Sequence, residues 1–318
     1  MKALTWLGGS DLTWGEVSAP EKPDDEVVVQ VRCASICGSD LHAYRGQPGP
    51  RVPPLILGHE AVCDFAGERY VPFPLLTCGN CPACRTGKEN LCPDWELLGI
   101  HRPGVFADRF AIPRSLLLPV PDGLSDDRAV LTEPLACVVG AFEGTELSDG
   151  TTVAVIGCGP IGLLGAAYAV NRGAQVIAVD PMAERRQIAQ RLGAQRVAEH
   201  ADSLRDVDLL LDAAGVPATW AAGINAVRPG GRVVVVGLGR AVGEVPMAAL
   251  VRRSVVLQGH FAYTRANFGD ALGFLARETF DLGWTQPMDM DRGVDAFHSL
   301  VHDPSHFIKV ILRVTRDH

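Results

Sequence analysis

The run Val153-Ala154-Val155-Ile156-Gly157-Cys158-Gly159-Pro160-Ile161-Gly162 decides the fold. Four apolar residues read as a buried strand, and Gly157-x-Gly159-x-x-Gly162 turns the chain into an apolar helix from Ile161 to Arg172. The first glycine permits a tight turn, the second lets backbone approach a pyrophosphate, and the third allows helix to pack closely on strand. Pro160 and Ile161 stand at the helix start, where free N–H groups hold phosphate charge. The stretch from Gly150 to Asn171 carries no charge and is long enough to imitate a membrane span. Its Gly and Pro residues break any single helix, so strand, turn and helix is the better reading.

Downstream the rhythm repeats. Strands are expected at Gln175 to Val179, Val207 to Leu211 and Arg232 to Gly237, with helices at Ala183 to Leu192 and Ala218 to Val227. Helices alternating with apolar strands make a doubly wound parallel sheet of the Rossmann kind. Asp180 closes the second strand 18 residues beyond Gly162, placed to accept bonds from a ribose 2′-hydroxyl and to repel a 2′-phosphate. That predicts NAD rather than NADP as cofactor; the alternative is a helix cap ahead of Pro181. Arg185 and Arg186 either flank the adenosine or are simply solvated, and Gly237 joins the candidate cofactor positions.

Upstream, from Met1 to about Ala111, short alternating runs and frequent turns predict a small antiparallel barrel or sandwich, with one clear strand at Glu26 to Arg32. After Phe280 the chain is irregular until the strand-like Ile308-Lys309-Val310-Ile311-Leu312-Arg313-Val314, which could return to the first domain. The 318 residues suit about two domains, and 47% hydrophobic with 21% charged residues excludes disorder. With 37 acidic against 29 basic side chains and no basic cluster, nucleic acid and anionic membrane are not expected partners. The start, Met1-Lys2-Ala3-Leu4-Thr5-Trp6, lacks a signal-peptide pattern, and the expected location is the cytoplasm.

Nine cysteines, an odd number, fit a disulfide framework poorly. Cys78, Cys81, Cys84 and Cys92 fall within fifteen residues. Four thiolates on one loop satisfy tetrahedral zinc and leave no position for substrate, which makes the site structural; an iron–sulfur cluster is the alternative. A second candidate centre combines Cys37-Gly38-Ser39-Asp40-Leu41-His42 with Gly58-His59-Glu60. A thiolate and an imidazole suit zinc, and a third ligand from a distant carboxylate leaves an open position. Read singly, Cys37 is equally a buried small hydrophobe and His59 a core histidine.

Together, Cys37 to His42, Gly58-His59-Glu60, the four-cysteine lobe, Thr132-Glu133-Pro134-Leu135 and the Gly157 loop resemble the zinc-containing medium-chain dehydrogenases, and most of all the sorbitol and threonine dehydrogenase branch. The resemblance spans about Ala34 to Tyr263. It implies a GroES-like β-barrel catalytic domain over residues 1–140, a Rossmann domain over 141–278, and a return to the catalytic domain over 279–318. It places Cys37, His59 and Glu133 on a catalytic zinc, with Glu60 bound directly or through water, and gives two zinc ions per chain. Cys137 is a runner-up ligand. Asp40 would orient the histidine, while Ser39 and His42 would relay the alcohol proton; helix capping by Ser39 and Asp40, or a solvated His42, are the plainer alternatives.

The activity so implied is reversible transfer of a hydride between a secondary alcohol and NAD, giving a ketone, with a polyol, cyclitol or amino-alcohol such as threonine as the substrate class. A catalytically silent NAD-binding protein on the same scaffold is the competing reading. Gly259-His260-Phe261-Ala262-Tyr263 resembles the stretch beside the nicotinamide, with Phe261 and Tyr263 as candidate contacts, and the strand before it implies a homodimer or homotetramer. Two features depart from the family. Ala262 stands where polyol dehydrogenases generally carry an arginine, leaving Tyr263 and Tyr44 as polar candidates. Only 17 residues separate Glu60 from Cys78, so one tight turn should replace a longer hairpin segment.

Overall fold

Thr152–Ile156, apolar after its first residue, can be covered on both faces, and it sits inside a six-stranded sheet. The computed structural model describes residues 1–315. The sheet runs Arg196–Ala198, Gln175–Val179, Thr152–Ile156, Val207–Asp212, Val227–Val235, Val256–Gly259, and every neighbouring pair is parallel. Val153 lies opposite Val176 on one side and Leu209 on the other. In chain order this is the doubly wound arrangement whose winding reverses beside the first strand, where dinucleotides bind. Helix Pro160–Asn171 follows that strand and buries Gly162 through Ala169 continuously. Its apolar character therefore serves the protein interior. No helix among the described residues is long and apolar enough to cross a membrane.

The chain separates into two compact units, a first of Met1–Glu133 with the segment from Thr264 onward, and a second of Pro134–Tyr263. The second unit holds the parallel sheet. In the first, strand Glu26–Ser35 pairs antiparallel with Glu60–Phe65, Arg109–Pro113 and Lys309–Arg313. Lys309–Arg313 also pairs, in parallel, with Thr285–Asp289. A three-stranded sheet of Asp11–Glu16, Lys2–Gly8 and Leu55–Ile56 packs its apolar residues into the same core, with Leu4, Val31, Phe106, Phe297 and Leu312 buried together. Each such side chain contributes about 1.5–3 kcal/mol of transfer free energy.

The division differs from the one read in the sequence. Helix Arg265–Arg277, assigned there to the Rossmann domain, belongs to the first unit. Its Phe268 meets the edge of Phe73 at a centroid distance of 5.3 Å, and Arg128 donates to the carbonyl oxygens of Leu275 and Phe280 at 3.4 and 3.3 Å. Two further elements lie where the sequence looked irregular: strand Thr285–Asp289 and helix Gly293–His302. The shortened segment is a hairpin, with Phe65 opposite Glu68 across a turn formed by Ala66 and Gly67. Both turn residues have positive φ, 52° and 85°, as a two-residue hairpin requires.

Candidate active site

Cys37 precedes helix Gly38–Tyr44 at its N-cap, and Asp40 in the first turn accepts the Cys37 N–H on Oδ2 at 3.1 Å. Asp40 thus stands inside the helix at its third position and reaches back to Cys37, the residue that carries the thiol. His59 and Glu60 enter strand Glu60–Phe65 from a left-handed Gly58, φ 91°, where a Cβ would lie 2.7 Å from the Phe106 ring. The ligand atoms of Cys37, His59 and Glu60 converge within 4.8 Å of one another. His59 and Glu60 are buried, yet His59 Nδ1 and Glu60 Oε1 have no hydrogen-bond partner. Burial pushes the Cys37 thiol up to about 11, and the Glu60 carboxylate adds to the effect. A thiol, an imidazole and a carboxylate crowded together, with one atom each of the imidazole and the carboxylate unpartnered, form a site that a cation completes, and the soft–borderline donor set suits zinc.

Glu133 does not join this group. It lies in the first turn of helix Thr132–Ala141, buried, and its charge is felt at Lys309. The carboxylate found among the atoms within 4.8 Å of one another is that of Glu60, the chain neighbour of His59. Cys137 lies on the helix of Glu133 and is likewise outside the cluster. Two residues that no motif singles out complete the surroundings. Lys309, 1% exposed, donates to Glu60 Oε2 at 2.5 Å and to Ile36 O at 3.1 Å, and Ser35 Oγ donates to the same Glu60 oxygen. Burial works against the ammonium charge, but Glu60 and Cys37 beside it hold the lysine above its usual range. A lysine inside the apolar run Ile308 to Leu312 was the sequence signal for this pair.

Ser39 Oγ and Asp40 Oδ1 both accept from Arg51 Nη2, at 3.1 and 3.0 Å. His42, in the last turn of the helix, is held below its ordinary range by burial and by Arg45 and Arg51. Tyr44, the other polar candidate, is buried in the core against Phe297, centroids 5.4 Å apart. Cys78, Cys81, Cys84 and Cys92 form the other convergent group, also within 4.8 Å. N–H groups of Asn80 and Cys81 draw the Cys78 thiol down to about 7, towards the thiolate a metal needs.

In the second unit the glycine loop shows why each glycine is there. A Cβ on Gly162 would lie 1.8 Å from Gly157 O, and Gly157 takes φ 88°. A Cβ on Gly159 would meet nothing within 4 Å, which leaves backbone open to an incoming ligand. That open cradle fits a dinucleotide pyrophosphate, with Pro160 and Ile161 opening the helix behind it. Asp180 is buried at the end of Gln175–Val179; Cys158 N–H donates to Oδ2 at 2.8 Å and Met182 N–H to Oδ1 at 2.9 Å. The following helix is capped at Met182, so Asp180 ties the glycine loop to this turn rather than being the cap residue. Arg186 donates to the carbonyl oxygens of Asp180 and Pro181, and Arg185 Nη1 stands 4.0 Å from Asp180 Oδ2. Gly237 packs so close to Gly215 that a Cβ on Gly215 would lie 1.9 Å from Gly237 O. Phe261 is 43% exposed, whereas Tyr263 is buried. Ala262, φ 52°, offers its carbonyl oxygen to His260 Nε2 at 2.8 Å.

Comparison with known proteins identifies the family. Residues 23–122 match the alcohol dehydrogenase GroES-like domain and residues 160–277 the zinc-binding dehydrogenase domain. A sorbitol dehydrogenase of Bacillus subtilis is 30% identical over 99% of this chain and 98% of that protein. The chain belongs to the zinc-binding alcohol dehydrogenases. An L-threonine 3-dehydrogenase of Escherichia fergusonii is 31% identical over 75% of this chain and 77% of that protein. A crystal structure of an alcohol dehydrogenase from Escherichia coli CFT073 complexed with NADH has a TM-score of 0.91 at 26% identity, covering 98% of this chain and 99% of that one. This zinc-binding dehydrogenase therefore unites a GroES-like domain with a Rossmann sheet, and it is an oxidoreductase acting on a small-molecule alcohol.

Proposed function

We propose that this chain oxidises a secondary alcohol to a ketone with NAD, using a zinc ion held by Cys37, His59 and Glu60, while Cys78, Cys81, Cys84 and Cys92 hold a second, structural zinc. The observation that carries this reading is the buried convergence of Cys37, His59 and Glu60 with His59 Nδ1 and Glu60 Oε1 left without partners. Zinc supplies Lewis-acid polarisation of the alcohol oxygen, and NAD accepts the hydride. The residues do the rest. Lys309 and Ser35 occupy Glu60 Oε2, so its other oxygen is the one left for the metal. Ser39 Oγ accepts the alcohol proton, and a neutral His42 passes it outward. Gly159 admits the pyrophosphate, and Asp180, a carboxylate whose charge repels a 2′-phosphate, supports NAD over NADP.

The similarity to a sorbitol dehydrogenase supports a polyol-like substrate, with cyclitols and amino-alcohols as neighbouring classes. The edge strand Val256–Gly259, with Val256 and Leu257 exposed, supports a homodimer or a homotetramer built from it. Four thiols that must stay reduced to bind metal support a cytoplasmic location.

The test reads NADH absorbance across polyols, cyclitols, amino-alcohols and simple secondary alcohols, with zinc content measured in parallel. About two zinc ions per chain are expected, one of them chelatable with loss of turnover. Cys37→Ala and His59→Ala should lose that ion and the activity. One tightly held ion, with NAD bound and no alcohol turned over, would instead identify a silent NAD-binding protein.

A further inference from the structure

Helix Gly293–His302 buries Gly293, Ala296, Phe297 and Leu300 along one side. That side is well anchored. Phe297 meets Tyr44 and Phe106 at centroid distances of 5.4 and 6.0 Å, and a Cβ on Gly293 would lie 2.5 Å from Leu4 Cδ2. His298 and His302 are exposed, four residues and therefore about one turn apart on one face of the helix. Their ring centroids lie 4.2 Å apart, with 38° between the ring planes. Among the described residues neither ring has a hydrogen-bond or ion-pair partner. His306, just beyond the helix, is different: its Nδ1 is engaged by Asp303 at 2.8 Å and Ser305 at 3.2 Å. Asp295, one turn ahead of His298, is paired with Arg292 at 3.2 Å. Two adjacent imidazoles on a fixed helix are thus left with their nitrogens uncommitted.

We propose that His298 and His302 form a further metal site of this chain, an open one that takes an exchangeable divalent transition-metal ion with water in its other positions. Neutral imidazole is the commonest metal ligand, and histidines four apart on a helix bring two of them to one ion. Metal–nitrogen bonds of about 2.0–2.1 Å need the two nitrogens about 3 Å apart, which exposed rings at 4.2 Å reach by side-chain rotation alone. A donor set of two imidazoles selects copper, nickel and zinc, and leaves calcium and magnesium to oxygen-rich sites. The helix adds to the attraction, because His302 lies in its last turn, where unpaired carbonyl oxygens favour a cation. No thiol takes part, so the site stands apart from the zinc proposed at Cys37, His59 and Glu60. An ion gripped by both rings clips the end of a helix that exists only in the folded chain, and so stabilises the fold.

The experiment dialyses the desalted zinc enzyme to equilibrium against nickel chloride, and counts bound nickel and zinc together by mass spectrometry. Wild type is compared with His298→Ala, His302→Ala and His306→Ala, all exposed positions whose replacement leaves the fold intact. About one nickel ion per chain is expected on wild type, with no loss of zinc. His298→Ala and His302→Ala should each weaken that binding about a hundredfold, because the second bond of a chelate forms within one molecule. His306→Ala should bind nickel as wild type does, since Asp303 and Ser305 already hold that ring. Nickel should also raise the Tm of wild type and His306→Ala, and leave that of His298→Ala and His302→Ala unmoved. A wild type that takes up no nickel would overturn the proposal. So would nickel bound only in exchange for zinc, which would place it among the thiols, or nickel bound equally well by His298→Ala and His302→Ala.

Discussion

Lys309 and Glu60 exemplify how this protein keeps charge inside. Neither side chain reaches water to any useful extent, and each is tolerable only because the other is 2.5 Å away. Removing one partner strands the other, so Lys309→Met should lower stability by about 3 kcal/mol in urea unfolding. The double variant Lys309→Met, Glu60→Gln should recover much of that loss, because no lone charge then remains buried. A single variant as stable as wild type would show that the pair is not held as described. Cys37, His59 and Glu60 were conspicuous in the sequence because a thiol, an imidazole and a carboxylate flanked by glycines are chemically distinctive. Their supporters were harder to see. Arg51 sits in a loop with no periodicity, and what it does depends on contacts at Ser39, Asp40 and Gly99 that no local pattern encodes. The third ligand was ambiguous for a related reason: Glu60 and Glu133 are both carboxylates that suit zinc, and a motif does not say which of them reaches the ion.

Among elements, the glycine loop separates two roles that sequence alone runs together. Gly162 is required by packing, since its Cβ would penetrate the Gly157 carbonyl, whereas Gly159 has free space around it. Gly162→Ala should therefore destabilise the second unit by at least about 2 kcal/mol, in the range of overpacked or strained backbone. Gly159→Ala should melt like wild type yet bind NAD about tenfold more weakly, because the methyl fills the approach of the pyrophosphate. Calorimetry with NAD titration distinguishes the two; equal NAD affinity in Gly159→Ala would remove the cradle from the account. The alternating helices and strands of this unit were legible because period and length agree, from Thr152–Ile156 to Val207–Asp212. Thr285–Asp289 was not, since Thr-Gln-Pro-Met-Asp is polar and contains proline; it forms only as an outer strand, paired to Lys309–Arg313. Helix Gly293–His302 was obscured by its brevity, although Ala296, Phe297 and Leu300 have the spacing of one buried face.

For the whole molecule, the open question is what meets the last strand of the parallel sheet. Val256–Gly259 ends the sheet order, and its adjacent residues Val256 and Leu257, which point to opposite faces, are 44% and 36% exposed. Parallel sheets are normally covered on both faces, so an edge with apolar residues on both sides is unfinished in a single chain. Met247 and Val251 on the preceding helix Met247–Arg252 are exposed apolar residues too. A second copy related by a two-fold axis would present the identical strand antiparallel, pairing the free backbone groups and burying both apolar sets. Arg253 donates to the carbonyl oxygens of Ile224, Asn225 and Val227, which fixes the chain just ahead of the strand. Leu257→Glu places a charge at the centre of the paired edge, and the paired variants would then face like charge across it. Light scattering at micromolar concentration should show the mass of the assembly falling towards 33.9 kDa, that of one chain, while NAD affinity is retained. A wild-type protein that already scatters as a single chain at every concentration would require another covering for this edge.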